Sequence, residues 1–97
     1  MSRRTIRWTR RALLRLDEIG THIEKDSAEA AARVIARIVS AAELLTEQPA
    51  MGRVGRVKAT RELVLADIPY IVAYRLNEGT IEILTVIHAA QQWPQRL

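Results

Sequence analysis

An α+β fold is predicted by three features of the sequence. The chain opens on a short alternating segment, continues through two segments of helical period separated by a capped break, and ends in three apolar segments separated by turn residues. The predicted order is a short N-terminal strand, an antiparallel two-helix hairpin and a three-stranded antiparallel meander, with the helices packed on one sheet face. A length of 97 residues gives one expected domain over 1–97.

Residues 4–8, Arg-Thr-Ile-Arg-Trp, alternate polar and apolar and read as a strand. Thr9 is placed to cap a first helix running to about Asp26, with Ala12, Leu13, Leu16, Ile19, Gly20 and Ile23 on one stripe. A glycine inside a helix costs about 1 kcal/mol, so Gly20 implies a close neighbour. Ser27 caps a second helix that Pro49 stops, with Ala31, Val34, Ile35, Ile38, Ala41, Ala42 and Leu45 as its buried side. So short a break makes the pair a hairpin. Residues 49–60 carry Pro49, Gly52 and Gly55 without a period and read as a loop. Strands are predicted at 61–65, 70–76 and 80–87, the last two joined by a tight turn at 77–79. Their nearly continuous apolar runs imply cover on both faces. The opposite face is then shielded by the tail, 88–97, or by a partner, and Trp8 and Trp93 read as core and tail anchors.

Composition removes several kinds of chemistry. The chain has no cysteine, which excludes disulfides, thiolate metal sites and thiol catalysis. It shows no glycine-rich phosphate loop, no metal-ligand cluster and no paired carboxylates at a convincing spacing, so neither a cofactor nor a metal is expected. No apolar stretch is long enough to span a bilayer and none reads as a signal peptide, so no membrane association and a cytoplasmic location are expected. The net charge is +4 with a pI near 10.3, and arginine supplies thirteen of the fifteen cations. Such a balance favours an anionic partner.

The charge is segmented. Residues 3–15 hold six arginines and no acid, and residues 16–52 hold seven acids against three bases. Arg53, Arg56, Lys58 and Arg61 then fall together without a carboxylate. This second basic stretch reads either as an anion-facing surface or as a solvated loop paired with helix acids such as Glu43 and Glu47. His88, ending the last strand, with Tyr74 and Arg75 on the neighbouring strand, could bring an imidazole, a phenol and a guanidinium together for acid–base cleavage of RNA. The alternative is a pair of half-buried sheet tyrosines, Tyr70 and Tyr74, and a histidine that caps the strand. His22 reads as a surface residue.

Several segments in order resemble the RelE/ParE superfamily of type II toxin–antitoxin toxins. They are Ile-Arg-Trp-Thr-Arg-Arg-Ala (6–12), Leu-Asp-Glu-Ile (16–19), Glu-Gln-Pro-Ala-Met-Gly-Arg (47–53), Arg-Glu-Leu-Val (61–64), Pro-Tyr-Ile-Val-Ala-Tyr-Arg (69–75) and Ile-Glu-Ile-Leu-Thr-Val-Ile-His (81–88). The resemblance implies a growth-inhibiting toxin in a hetero-oligomer with a cognate antitoxin protein. RelE-like members cleave ribosome-bound mRNA, which would assign His88, Arg75, Tyr74 and Arg61 to catalysis. ParE-like members poison DNA gyrase without being known as nucleases, which leaves Arg53, Arg56, Lys58, Arg61 and Arg75 to bind target or antitoxin. The nucleases usually carry an arginine where this chain has Ile71, and further bases where it has Ala89, Ala90, Gln91 and Gln92. These departures, and the long helical hairpin, point to the ParE-like branch.

Overall fold

The computed structural model describes residues 4–90. Its elements are β1 (Thr5–Trp8), α1 (Arg10–Glu24), α2 (Ala28–Leu44), β2 (Arg53–Val54), β3 (Arg61–Val64), β4 (Tyr70–Asn77) and β5 (Thr80–His88). The α+β class, the helical hairpin and the β3–β4–β5 meander match the expectation. The sheet itself is larger and mixed: five strands in the order β1-β5-β4-β3-β2, with β1 parallel to β5. Two corrections follow. The sheet is not the three-stranded antiparallel meander alone, because β1 adds to it in parallel beside β5, and the expected loop at 49–60 contains the two-residue strand β2, antiparallel to β3. Neither was legible locally, because a strand's own pattern gives its faces but not its neighbour or direction.

Both caps form at the predicted residues. The Thr9 hydroxyl accepts from Ala12 N–H at 3.2 Å and lies 2.8 Å from the Ile83 carbonyl, to which it donates. One side chain therefore starts α1 and fastens it to β5. The Ser27 hydroxyl accepts from Ala30 N–H at 3.0 Å. The helices stop earlier than predicted, at Glu24 and Leu44. After α2 the chain tightens, and the Thr46 hydroxyl donates to the Glu43 carbonyl at 2.7 Å.

Buried Ala12 and Ile19 of α1 and Ile38, Ala41, Ala42 and Leu45 on the α2 side pack on Leu63, Val72, Tyr74, Ile81, Ile83 and Val86. Leu13 departs from the predicted stripe and is 53% exposed. A Cβ at Gly20 would meet Ile35 at 3.6 Å, an ordinary contact, so close approach does not require the glycine there. Strand alternation turns Glu62, Ile71, Ala73, Thr85 and Ile87 to the opposite face, where they are also buried. A register shift between Ala73 and Tyr74 accommodates Leu84 as the extra residue. The expected shield over this face includes residues 91–97, and with Trp93 it lies outside the described residues. No described helix is long and apolar enough to cross a membrane.

Candidate functional site

Two carboxylates organise the arginines on the sheet face that points away from the helices. In one row, Arg7 of β1 and Arg75 of β4 flank Glu82 of β5. Arg75 Nε donates to Glu82 Oε1 at 2.8 Å, Asn77 Nδ2 donates to the same oxygen at 3.1 Å, and Arg7 Nη1 pairs with Oε2. The hydrogen bond and charge of Arg75, followed by the charge of Arg7, hold the Glu82 carboxyl below its ordinary pKa. In the other row, Arg53 of β2 faces Glu62 of β3. Arg53 donates to Glu62 Oε1 from Nε at 3.0 Å and from Nη2 at 2.9 Å, and Arg56 N–H donates to Oε2 at 2.7 Å. Glu62 is 1% exposed, whereas the arginines keep much of their side chains in solvent, 61% for Arg7, 54% for Arg53 and 43% for Arg75. The carboxylates thus fix guanidinium groups whose remaining donors face outward, an arrangement suited to a carboxylate or phosphate.

Of the loop cations, Arg53 pairs through its guanidinium with Glu62 of β3, and Arg56 reaches the same carboxylate through its backbone N–H. Arg56 and Lys58 are exposed in the turn between β2 and β3, where Ala59 takes a φ of 64°. Arg61 stands apart from Arg53 and Arg75. Its register partner is Tyr74, on the helix side, and its Nη1 donates to the Gly52 carbonyl at 2.7 Å. The Tyr74 hydroxyl donates to the Pro49 carbonyl at 2.7 Å and accepts from Gly52 N–H at 2.9 Å. Burial pushes its phenol pKa up. Tyr74 and Arg61 together pin the corner formed by residues 49–52.

The trio His88, Tyr74 and Arg75 is not brought together. His88 pairs with Tyr70 at the far end of β4, about 13 Å along the strand from Tyr74. Arg75 lies on the opposite face, tied to Glu82. His88 meets Tyr70 edge-on with ring centroids 5.2 Å apart, and its Nδ1 accepts from Ala90 N–H at 3.1 Å. It lines a small cleft of about 310 Å³ with Arg15, Glu18, Ile19, His22 and Tyr70. Among the described residues no group of three metal-ligating side chains forms.

Arg7, Asn77, Glu62 and Glu82 escaped the sequence reading, although they set the geometry of the arginine face. A carboxylate inside an otherwise apolar strand, as Glu82 is, was the available signal. The bidentate pair Arg37–Asp67, with both contacts at 2.8 Å, ties α2 to the β3–β4 link; it lowers the Asp67 pKa and raises that of Arg37.

The fold recurs in toxin–antitoxin structures. A chain of the chromosomal ParDE system from P. aeruginosa superposes with a TM-score of 0.80 at 27% identity, covering 88% of this chain and 95% of its own. A chain of the RelBE2 toxin–antitoxin complex from Mycobacterium tuberculosis shares the fold at a TM-score of 0.69 and 24% identity, covering 90% of this chain and 99% of its own. These neighbours define the class, a toxin of the RelE/ParE superfamily. Residues 6–93 match the family model described as the ParE toxin of the type II toxin–antitoxin system parDE, and the chain belongs to that family. It is similar to the protein named toxin Y4kP from Sinorhizobium fredii (strain NBRC 101917 / NGR234), at 67% identity across the whole of both chains. It also resembles Toxin RelE2 from Caulobacter vibrioides, at 38% identity over 84 residues, 87% of this chain and 93% of the relative.

Proposed function

We propose that this type II toxin inhibits growth by binding and poisoning DNA gyrase, and that a cognate antitoxin, with which it forms a hetero-oligomer, neutralises it. The observation that carries this reading is the dispersal of the nuclease candidates. Tyr74 is fully buried with its hydroxyl bonded twice, Arg61 holds the 49–52 corner, Arg75 is tied to Glu82 on the other face, and His88 packs on Tyr70. Acid–base cleavage needs its groups within hydrogen-bond reach of one scissile phosphate, and these four are spread over two faces and both ends of β4. The exposed arginine face, with Arg53 and Arg75 held by Glu62 and Glu82 and with Arg56 and Lys58 exposed in the adjoining turn, instead supplies donors for a protein partner's acidic groups. A supercoiling assay with purified gyrase tests the reading. Added toxin should reduce supercoiling or trap cleaved DNA. Unaffected gyrase, together with cleavage of ribosome-bound mRNA that His88→Ala abolishes, would establish the RelE-like alternative.

A further inference from the structure

The two edges of the sheet are finished differently. β2 closes one edge: it is two residues long, and its Arg53 is matched to a single carboxylate, Glu62. β1 forms the other edge, with four residues and a neighbouring strand on one side only. Thr5 N–H donates to the Gly79 carbonyl at 2.9 Å and Thr9 N–H to the Ile83 carbonyl at 3.1 Å, so the alternate N–H groups, those of Ile6 and Trp8, point away from β5. Arg4 N–H, next in the outward series, is taken by the Thr46 carbonyl at 3.3 Å. Those of Ile6 and Trp8 meet no acceptor among the described residues. Such an edge is a template for a further strand.

The charge along this edge is also incomplete. From β4 to β1 the row across the sheet reads Arg75, Glu82, Arg7, two cations about one carboxylate. The row therefore keeps one positive charge, whereas the Arg53–Glu62 pair is neutral. Arg7 stands last in the row with 61% of its side chain exposed. Its Nη1 is spent on Glu82, and its Nε and Nη2 have no partner among the described residues. On the helix side of β1, Ile6 and Trp8 border the core and are only partly buried.

We propose that the β1 edge accepts an extended segment of a protein partner as a sixth strand, with an acidic residue opposite Arg7 and an apolar residue on either side of it. A strand added there lies about 4.8 Å from β1, and the residue opposite Arg7 turns its side chain to the arginine face. Its carboxylate carries the alternation Arg75–Glu82–Arg7 one step further and neutralises the charge left over. The two flanking side chains fall on the helix side, beside Ile6 and Trp8, and complete the burial of both. The backbone of the segment takes up the N–H groups of Ile6 and Trp8. The inference deepens the reading of the arginine face as a protein-binding surface and rests on it, independently of which protein is the target.

Two-dimensional 1H–15N NMR of the full chain, titrated with a capped synthetic peptide of sequence Val-Glu-Val-Glu-Val, tests the edge. The amides of Ile6 and Trp8 should shift downfield and exchange more slowly with solvent, and the side-chain Nε–H of Arg7 should shift with them. The same peptide with glutamine in place of glutamate should bind about threefold to fivefold more weakly, the scale of one exposed cross-strand ion pair. Arg7→Gln should abolish that preference. A peptide N-methylated at every residue cannot form the ladder and should leave Ile6 and Trp8 unshifted. Shifts confined to Arg53, Arg56 and Arg75 would keep the arginine face as a binding surface and overturn the added strand. Equal binding of the glutamate and glutamine peptides, or binding of the N-methylated one at Ile6 and Trp8, also overturns it. No shift with any peptide overturns the strand and the acid-binding face together, whatever the gyrase assay returns.

Discussion

Tyr70 and Tyr74 lie four residues apart on β4, facing the same helical layer, and both are buried. Their hydroxyls meet opposite circumstances. That of Tyr74 is bonded on both sides by residues 49–52, which the chain folds back over it. That of Tyr70 opens on a cleft walled by α1 and His88, with no bond to the described chain. The Tyr74 end of the strand is therefore closed by the chain's own backbone, whereas the Tyr70 hydroxyl is left to solvent. A pinned hydroxyl contributes to stability, and an unpinned one under the same burial contributes little. The two ends should respond differently to mutation, and the size of that difference measures how well the contrast holds.

The largest effect is expected at the closed end, from Gly52→Ala. A Cβ there would lie 2.7 Å from both the ring edge and the hydroxyl of Tyr74 and 3.0 Å from the Glu62 backbone. Tyr74 is held by packing on all sides, so it has nowhere to retreat. We expect a loss of about 3 kcal/mol, the upper part of the overpacking range, in urea unfolding. Tyr74→Phe comes next. The ring remains, but Gly52 N–H and the Pro49 carbonyl lose their common partner, for a cost of about 2 kcal/mol. A cost below about 0.5 kcal/mol would mean that water satisfies both groups and the corner is not closed.

The fold was legible where the signal is local. Thr9 and Ser27 cap the helices as their residue types require, and the hairpin turn at 77–79 sits where predicted, with Gly79 at a φ of 67°. What stayed hidden depends on which segment arrives opposite another. β1 pairs with a strand beginning at Thr80, and β2 is too short to carry any pattern. The tyrosines show the same limit at the level of a site. In sequence they are two aromatics in one apolar run, and only the arrival of Pro49–Gly52 chain at one and of α1 at the other separates their roles. Arg61 and Arg75 were likewise grouped by charge, whereas strand alternation sends them to opposite faces.

A smaller effect belongs to the arginine face and appears only in acid. The folded-state carboxyl of Glu82 is held below its ordinary value near 4.5, mainly by Arg75. Its contribution is fully present above that value and is lost as the pH falls through the depressed one. Denaturation midpoints taken from neutral to acid pH should therefore decline more steeply for wild type than for Glu82→Gln, in which this group no longer titrates. Parallel curves would show that Arg7 and Arg75 do not depend on the Glu82 charge.

The smallest change in stability is expected from Tyr70→Phe, and it decides the contrast most sharply. The substitution keeps the ring that packs edge-on to His88 and removes a hydroxyl that has no partner among the described residues. With no internal hydrogen bond to lose, its unfolding free energy should stay within about 0.5 kcal/mol of wild type, against about 2 kcal/mol for Tyr74→Phe measured alongside it. Equal losses at the two positions would mean that the Tyr70 hydroxyl is held by the fold after all. A near-neutral Tyr70→Phe beside a costly Tyr74→Phe separates the two ends of β4, because the same deletion would then matter only where the backbone folds back over the hydroxyl.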